Sequence, residues 1–195
     1  MKKALCLILV LVCLGTMAVA ESVPSRSTAD LVETVEIRTE SGAAAEDLII
    51  ATVEDEVAYA TEIEVCQNEI ARLQESASVA EYFGEVRNSA GEVVSLTEVL
   101  GSEQLVVNEF MPIIVDNYDA TYGNVTVVFK FSTPYEKDEP VVVLIGIVNP
   151  ETGLVEWVAL EGVGTGVDGA IEVEFTAEFL EAIQSGSAMM AIVNK

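Results

Sequence analysis

The sequence predicts an α+β fold: an antiparallel β-sandwich over residues 104–195, with helices from residues 47–103 packed on one of its sheets. Three observations predict it. Apolar residues recur three or four apart at Val57, Ala60, Ile63, Cys66, Ile70 and Leu73, the stripe of an amphipathic helix. Beyond about residue 104 the chain changes to short β-branched and aromatic runs separated by turns. Two of these runs, residues 141–145 and 188–193, are apolar at successive positions, whereas a strand with one wet face alternates. Both faces of those two runs must be covered, and the amino-terminal helices are the available cover. The two runs are therefore expected in one sheet, and the strands carrying Lys130, Glu172 and Glu174 on a face left open to water. Independent halves would expose the covered face, so one compact unit is expected.

Residues 1–20 read as an export signal. Lys2 and Lys3 precede an apolar run over residues 5–14, and Ala18-Val19-Ala20 has the small-x-small form of a cleavage site. A membrane anchor is the alternative, but residues 4–20 lie at the lower limit of a span and no basic flank follows. A lipidated Cys13 is a further alternative, in which Val12 replaces the small residue usually found there. Removal of the leader takes Cys6, Cys13 and two lysines with it. The product has 175 residues, 7 basic against 33 acidic, a single thiol and no internal disulfide. A chain of that length buries enough surface to be stable through its core. Cys66 reads first as a buried apolar residue, and second as a dimer-forming or reactive thiol.

Each later element has a local reason. Residues 21–46 are small, polar and acidic and read as a tether, although residues 31–37 alternate enough for a short strand. Residues 47–53 allow another strand. The helix over residues 55–76 leaves Glu62, Glu69 and Gln74 off its apolar stripe. Ser78 caps a short helix ended by Gly84, and residues 88–91 (Asn-Ser-Ala-Gly) form a turn. Ser95 and Glu98 have capping-box spacing, and Gly101 closes that helix. The strand over residues 105–115 is interrupted by Pro112, which suggests an edge or a bend. Val125, Val127, Phe129 and Phe131 share one face of the next strand. Residues 149–153 turn the chain into a strand ending near Leu160, in which Val155, Trp157 and Ala159 share a face. Ile171, Val173 and Phe175 point one way and Glu172 and Glu174 the other. Thr176 caps a helix through about residue 184, and residues 187–193 form the last strand.

Composition excludes several functions. A net charge of −24 opposes binding to nucleic acid or anionic lipid. The absence of histidine removes Ser-His-Asp, Cys-His and HExxH chemistry. Carboxylates remain, and Glu161, Asp168, Glu172 and Glu174 are candidates for a glycoside-hydrolysing pair, although the last two fit the wet face of a strand. Asp116, Asn117, Asp119 and Asn124 are candidate calcium ligands, since calcium takes oxygen donors without histidine; the loop lacks the EF-hand pattern, and an ordinary turn uses the same residues. Residues 162–166 (Gly-Val-Gly-Thr-Gly) lead into a strand, so they read as a flexible loop instead of a phosphate cradle. Asn124-Val125-Thr126 matches the N-glycosylation pattern but ends a turn. Trp157 reads as core in preference to a ligand platform.

Residues 82–86 (Tyr-Phe-Gly-Glu-Val), 108–112 (Asn-Glu-Phe-Met-Pro) and the closing strand at 188–193 resemble uncharacterised exported proteins of anaerobic Gram-positive bacteria. The half from residue 104 onward is similar in strand rhythm to immunoglobulin-like modules, without the Cys pair that antibody-type domains place around their Trp. The resemblance implies location and fold class and carries no site. The expected function is that of a secreted, non-catalytic binding or adhesion-like protein, with a protein or glycan partner and no membrane span after cleavage. A carboxylate-dependent glycan hydrolase and a self-assembling structural subunit are the alternatives.

Overall fold

The computed structural model describes residues 33–42, 45–53, 57–131, 135–149, 151–166, 169–184 and 187–195. The export signal, most of the tether and Asp168 lie outside the described residues. The strands are β1 (Glu33–Thr39), β2 (Ile49–Thr52), β3 (Glu85–Asn88), β4 (Val93–Ser95), β5 (Val106–Asp116), β6 (Val125–Lys130), β7 (Pro140–Val148), β8 (Val155–Gly164), β9 (Ala170–Phe175) and β10 (Ala188–Asn194). The helices are α1 (Ala60–Glu75), α2 (Val79–Phe83), α3 (Leu96–Leu100) and α4 (Ala177–Gln184).

The expected two-sheet sandwich is not what these strands build. They form one sheet in the order β1-β6-β9-β8-β7-β10-β5-β2, with the β3–β4 hairpin branching from β8. All its pairings are antiparallel except β3 with β8. The sheet curls into a half-barrel that brings its two terminal strands together: the Thr34 hydroxyl of β1 donates to the Ile50 carbonyl of β2 at 2.6 Å. Strand twist accumulates across a wide sheet, and curling lets one sheet enclose a core without a second. Residues 33–39, expected within the tether with a short strand allowed over residues 31–37, form β1, which pairs with β6 from Thr39↔Val125 to Glu33↔Lys130 with a register shift between Thr34 and Glu36.

Two cores occupy the two sides of this sheet. Inside the curl, Val127, Phe129, Val143, Ile145, Ile171, Val173, Phe175, Met190 and Ile192 pack with Phe179, Leu180 and Ile183 of α4. Outside it, Val142, Leu144, Met189, Ala191 and Val193 meet Cys66, Ile70 and Leu73 of α1, Val79 and Phe83 of α2, and Leu96 and Leu100 of α3. Strands β7 and β10 are neighbours, and both of their faces are buried. On the uncovered outer face, Glu172 and Glu174 of β9 are exposed and Lys130 of β6 is half-buried.

Local chemistry explains the element ends. Ser78 accepts from the Glu81 amide at 3.1 Å, and Gly84 stops α2 at φ 59°. Ser95 precedes α3 without making the capping-box bond; its hydroxyl pairs instead with Thr97 Oγ1 at 2.9 Å. Pro112 does not interrupt β5, which pairs with β10 from Val106 to Ile113 and with β2 from Ile113 to Asp116. The Pro112 carbonyl accepts from Val53 just past the end of β2, so its nitrogen faces the side where no partner strand needs an N–H. Gly162 and Gly164 are not in a flexible loop but inside β8. A Cβ on Gly162 would lie 2.8 Å from Val141 and 3.0 Å from Ile171, and one on Gly164 would collide with the Glu136 carbonyl. These glycines permit close strand packing.

Candidate functional site

Strand β8 changes partners along its length. It pairs in parallel with β3 at Arg87↔Val158 and Asn88↔Ala159, then with β9 from Gly162↔Val173 to Gly164↔Ile171. A groove lies on each side of the short β3 contact, one of about 530 Å³ and one of about 420 Å³.

The larger groove is built from four elements. β8 and the turn before it contribute Leu154, Val155, Glu156 and Trp157, and β3 contributes Glu85 and Arg87. α2 supplies Tyr82 and Phe83, and α1 supplies Glu69 and Arg72, which share a helix face at i,i+3. The aromatic wall is held by edge contacts: Phe83 to Trp157 at 4.9 Å, Tyr82 to Phe83 at 4.7 Å and Phe110 to Trp157 at 5.7 Å between ring centroids. The indole lies against Gly146 of β7, where a Cβ would stand 2.8 Å from its Cζ3. Trp157 therefore packs on the outer core and also lines a groove, two roles that the sequence reading treated as alternatives.

The polar centre of this groove is Glu69, which the stripe of α1 placed outside the core but which is 6% exposed. Its Oε1 accepts from Arg72 Nη1 and its Oε2 from the Tyr82 hydroxyl, both at 2.6 Å. Both oxygens are satisfied, which is what a buried carboxylate requires. Burial, followed by the hydrogen bond to Glu69 and its charge, pushes the Tyr82 phenol far above its usual range. The hydrogen bond and charge of Glu69 also raise Arg72, so that guanidinium stays charged. Cys66, one turn before Ile70 and buried, is pushed up to about 12 by burial and then by Glu69. It is a neutral thiol inside the outer core, as the first reading expected.

The smaller groove gathers Glu161, Glu172 and Glu174 with Asn88, Ser89 and Thr126. Two of its acids, Glu172 and Glu174, are engaged locally. Arg38 of β1 ion-pairs with Glu172 and lies 3.5 Å from Glu36, and Asn124 Nδ2 donates to Glu174 at 3.0 Å. The candidate calcium loop is likewise tied into the fold. Asp119 accepts from the Thr121 amide at 2.8 Å, capping a 3-10 turn at Ala120–Tyr122, and the hydrogen bond of the Thr121 side chain, then that of its amide, hold the Asp119 carboxyl below the usual range. Asn117, in the left-handed region at φ 58°, donates to the Asp47 carbonyl at 3.0 Å. Asn124 Oδ1 accepts from the Ala177 amide at the start of α4. Asp116, the last residue of β5, is exposed. Among the described residues no three His, Cys, Asp or Glu side chains are grouped to hold a metal ion. No described helix is long and apolar enough to cross a membrane. No family model, no curated protein and no solved structure matches this chain.

Proposed function

We propose that the chain is an exported, non-catalytic binding protein whose ligand contacts the groove beside Trp157. The observation that carries this reading is the groove itself: an aromatic wall fixed from behind by Gly146 and Phe110, with a satisfied ionic cluster and exposed charged residues around it. Its volume falls within the range of small-ligand sites, and an aromatic surface with a few placed polar groups is the usual composition of such sites. The groove joins elements of different sequence regions, so the fold that buries the outer core also assembles it. The basic, apolar and small-residue order of residues 1–20 supports export. Self-assembly through a terminal strand has less support, because β1 and β2 already engage one another through Thr34 and Ile50.

The experiment is a thermal melt of the chain with candidate ligands, followed by analysis of the recovered ligand. A ligand present at 100 times its dissociation constant stabilises the fold by about 2.7 kcal/mol. Stabilisation with the ligand recovered intact supports the reading, and a product that disappears in Glu161→Gln or Glu172→Gln replaces it with a hydrolase. Expression with the leader tests export separately: a product beginning at Glu21 in the medium is expected, and retention of the uncleaved chain opposes it.

A further inference from the structure

We infer that the groove beside Trp157 takes a neutral saccharide. This rests on the binding reading above and adds the chemical class of the ligand. The charge of the groove is unlike that of the chain. Acidic residues outnumber basic ones 33 to 9 overall, whereas here Arg72 and Arg87 face Glu69, Glu85 and Glu156. Glu69 is already neutralised by Arg72 and bonded by Tyr82, leaving exposed carboxylates at Glu85 and Glu156 and guanidinium donors beyond those in use. Arg72 uses Nη1 for Glu69, and Arg87 uses Nη1 for the Gly91 carbonyl at 2.9 Å, while each guanidinium carries five N–H donors.

An anionic ligand meets Glu85, Glu156 and the field of the whole chain; a cationic one meets Arg72 and Arg87. A neutral polyol has no such opposition. Each hydroxyl both donates and accepts, so a sugar uses guanidinium donors and carboxylate acceptors together. The ring C–H groups of a pyranose are weakly positive and apolar, matching the aromatic lining at Trp157 and Tyr82. The smaller groove lacks the aromatic part of this match, and two of its three acids, Glu172 and Glu174, are tied to Arg38 and Asn124.

Trp157 is the single tryptophan of the chain, so its emission reports the groove directly. The full chain is titrated to about 10 mM with neutral oligosaccharides of glucose, galactose and N-acetylglucosamine, with a galacturonate disaccharide, and with acidic and basic peptides. A saturable emission change with a neutral saccharide is expected. Arg87→Ala and Glu156→Gln, both at exposed positions, should each weaken it about tenfold or more without altering the melt. Saturation by the uronate or a peptide alone overturns the saccharide assignment and leaves the binding reading standing. An emission unmoved by every class overturns both. A saccharide response untouched by both rim variants also overturns the assignment, because the sugar then lies elsewhere.

Discussion

The Tyr82 hydroxyl donates to Glu69 Oε2 at 2.6 Å, joining α2 to α1 across the wall of the larger groove. Thirteen positions separate the two residues, and the bond gives a buried carboxylate its second partner. Tyr82→Phe removes that partner while the ring stays in place. The expected loss is about 1–3 kcal/mol, the desolvation cost of an unpaired buried acceptor. Urea unfolding measures it, and the double change Glu69→Leu with Tyr82→Phe should recover part of the loss because neither polar group then remains. A double variant as unstable as the sum of the single changes refutes the coupling.

Alkaline pH should weaken the fold. Cys66 ordinarily titrates at 9.0 and is pushed up to about 12 in the folded chain, and Tyr82 is also raised from 10.0. Both groups therefore keep a proton in the folded state that the unfolded chain releases. Their contribution is complete below pH 9 and is lost as pH rises from 9 toward 12, at up to about 1.4 kcal/mol per pH unit for each group. Denaturant midpoints across that window measure the slope. Cys66→Ala should delay its onset to about pH 10, where Tyr82 and Tyr118 remain, the latter phenol also raised from 10.0 by burial and then by the charges of Glu181 and Asp119.

Gly146→Ala tests the seat of the indole. The added methyl would meet Val155 Cγ1 at 2.6 Å and the Trp157 ring at 2.8 Å and 2.9 Å, so both side chains must move. Overpacking of this kind costs about 1–3 kcal/mol. The tryptophan emission should shift in the folded variant, and an unchanged spectrum with unchanged stability would contradict the packing described for Trp157.

Thr34→Val removes the bond between the terminal strands and preserves the side-chain shape. A loss of about 0.5–1.5 kcal/mol is expected. Hydrogen exchange should quicken in β1 and β2 before β7 and β10, whose two faces are both buried. Uniform acceleration across the sheet would show that the seam is not a separate opening unit.

Arg38→Ala breaks its links to Glu172 and Glu36 on the open face. These side chains are about half exposed, so the expected cost is small, about 0.5 kcal/mol or less, and should vanish in high salt. A larger, salt-independent loss would place Arg38 in packing over β6 instead of in an ion pair.

Much of the fold was legible where periodicity is local. The unbroken apolar runs in β7 and β10 correctly implied a sheet covered on both faces, because a residue facing water in a strand is seldom apolar at every position. Of the predicted stripe, Cys66, Ile70 and Leu73 mark the buried face of α1, whereas Val57 precedes the helix and is exposed, as is Ala60 at its first turn; Ser78 and Gly84 marked the ends of α2. The groove was less legible. Glu69 lies beside that stripe and becomes buried only because α2 packs along its flank. The available signal was Arg72 three residues on, placed to neutralise it. Trp157 was correctly placed with Val155 and Ala159, but its second role depends on the gap between β3 and β8. In β8, Gly162 and Gly164 looked like a loop because glycine lowers strand propensity, and only the tertiary packing explains them: the side chains of Val141 and Ile171 against Gly162, and the Glu136 carbonyl against Gly164.

The sequence by itself determined which strands are buried on both faces, where the long helix lies, and which catalytic chemistries lack their residues. Those follow from side-chain type and spacing along the chain. Only the tertiary structure decided that the strands curl into one half-barrel and that residues 33–39 join it. It alone decided that β8 exchanges β3 for β9 and opens grooves beside that short pairing. Strand order and sheet closure depend on pairings between residues far apart in sequence, and the alternation of a strand records which faces are covered without recording which strand lies beside it.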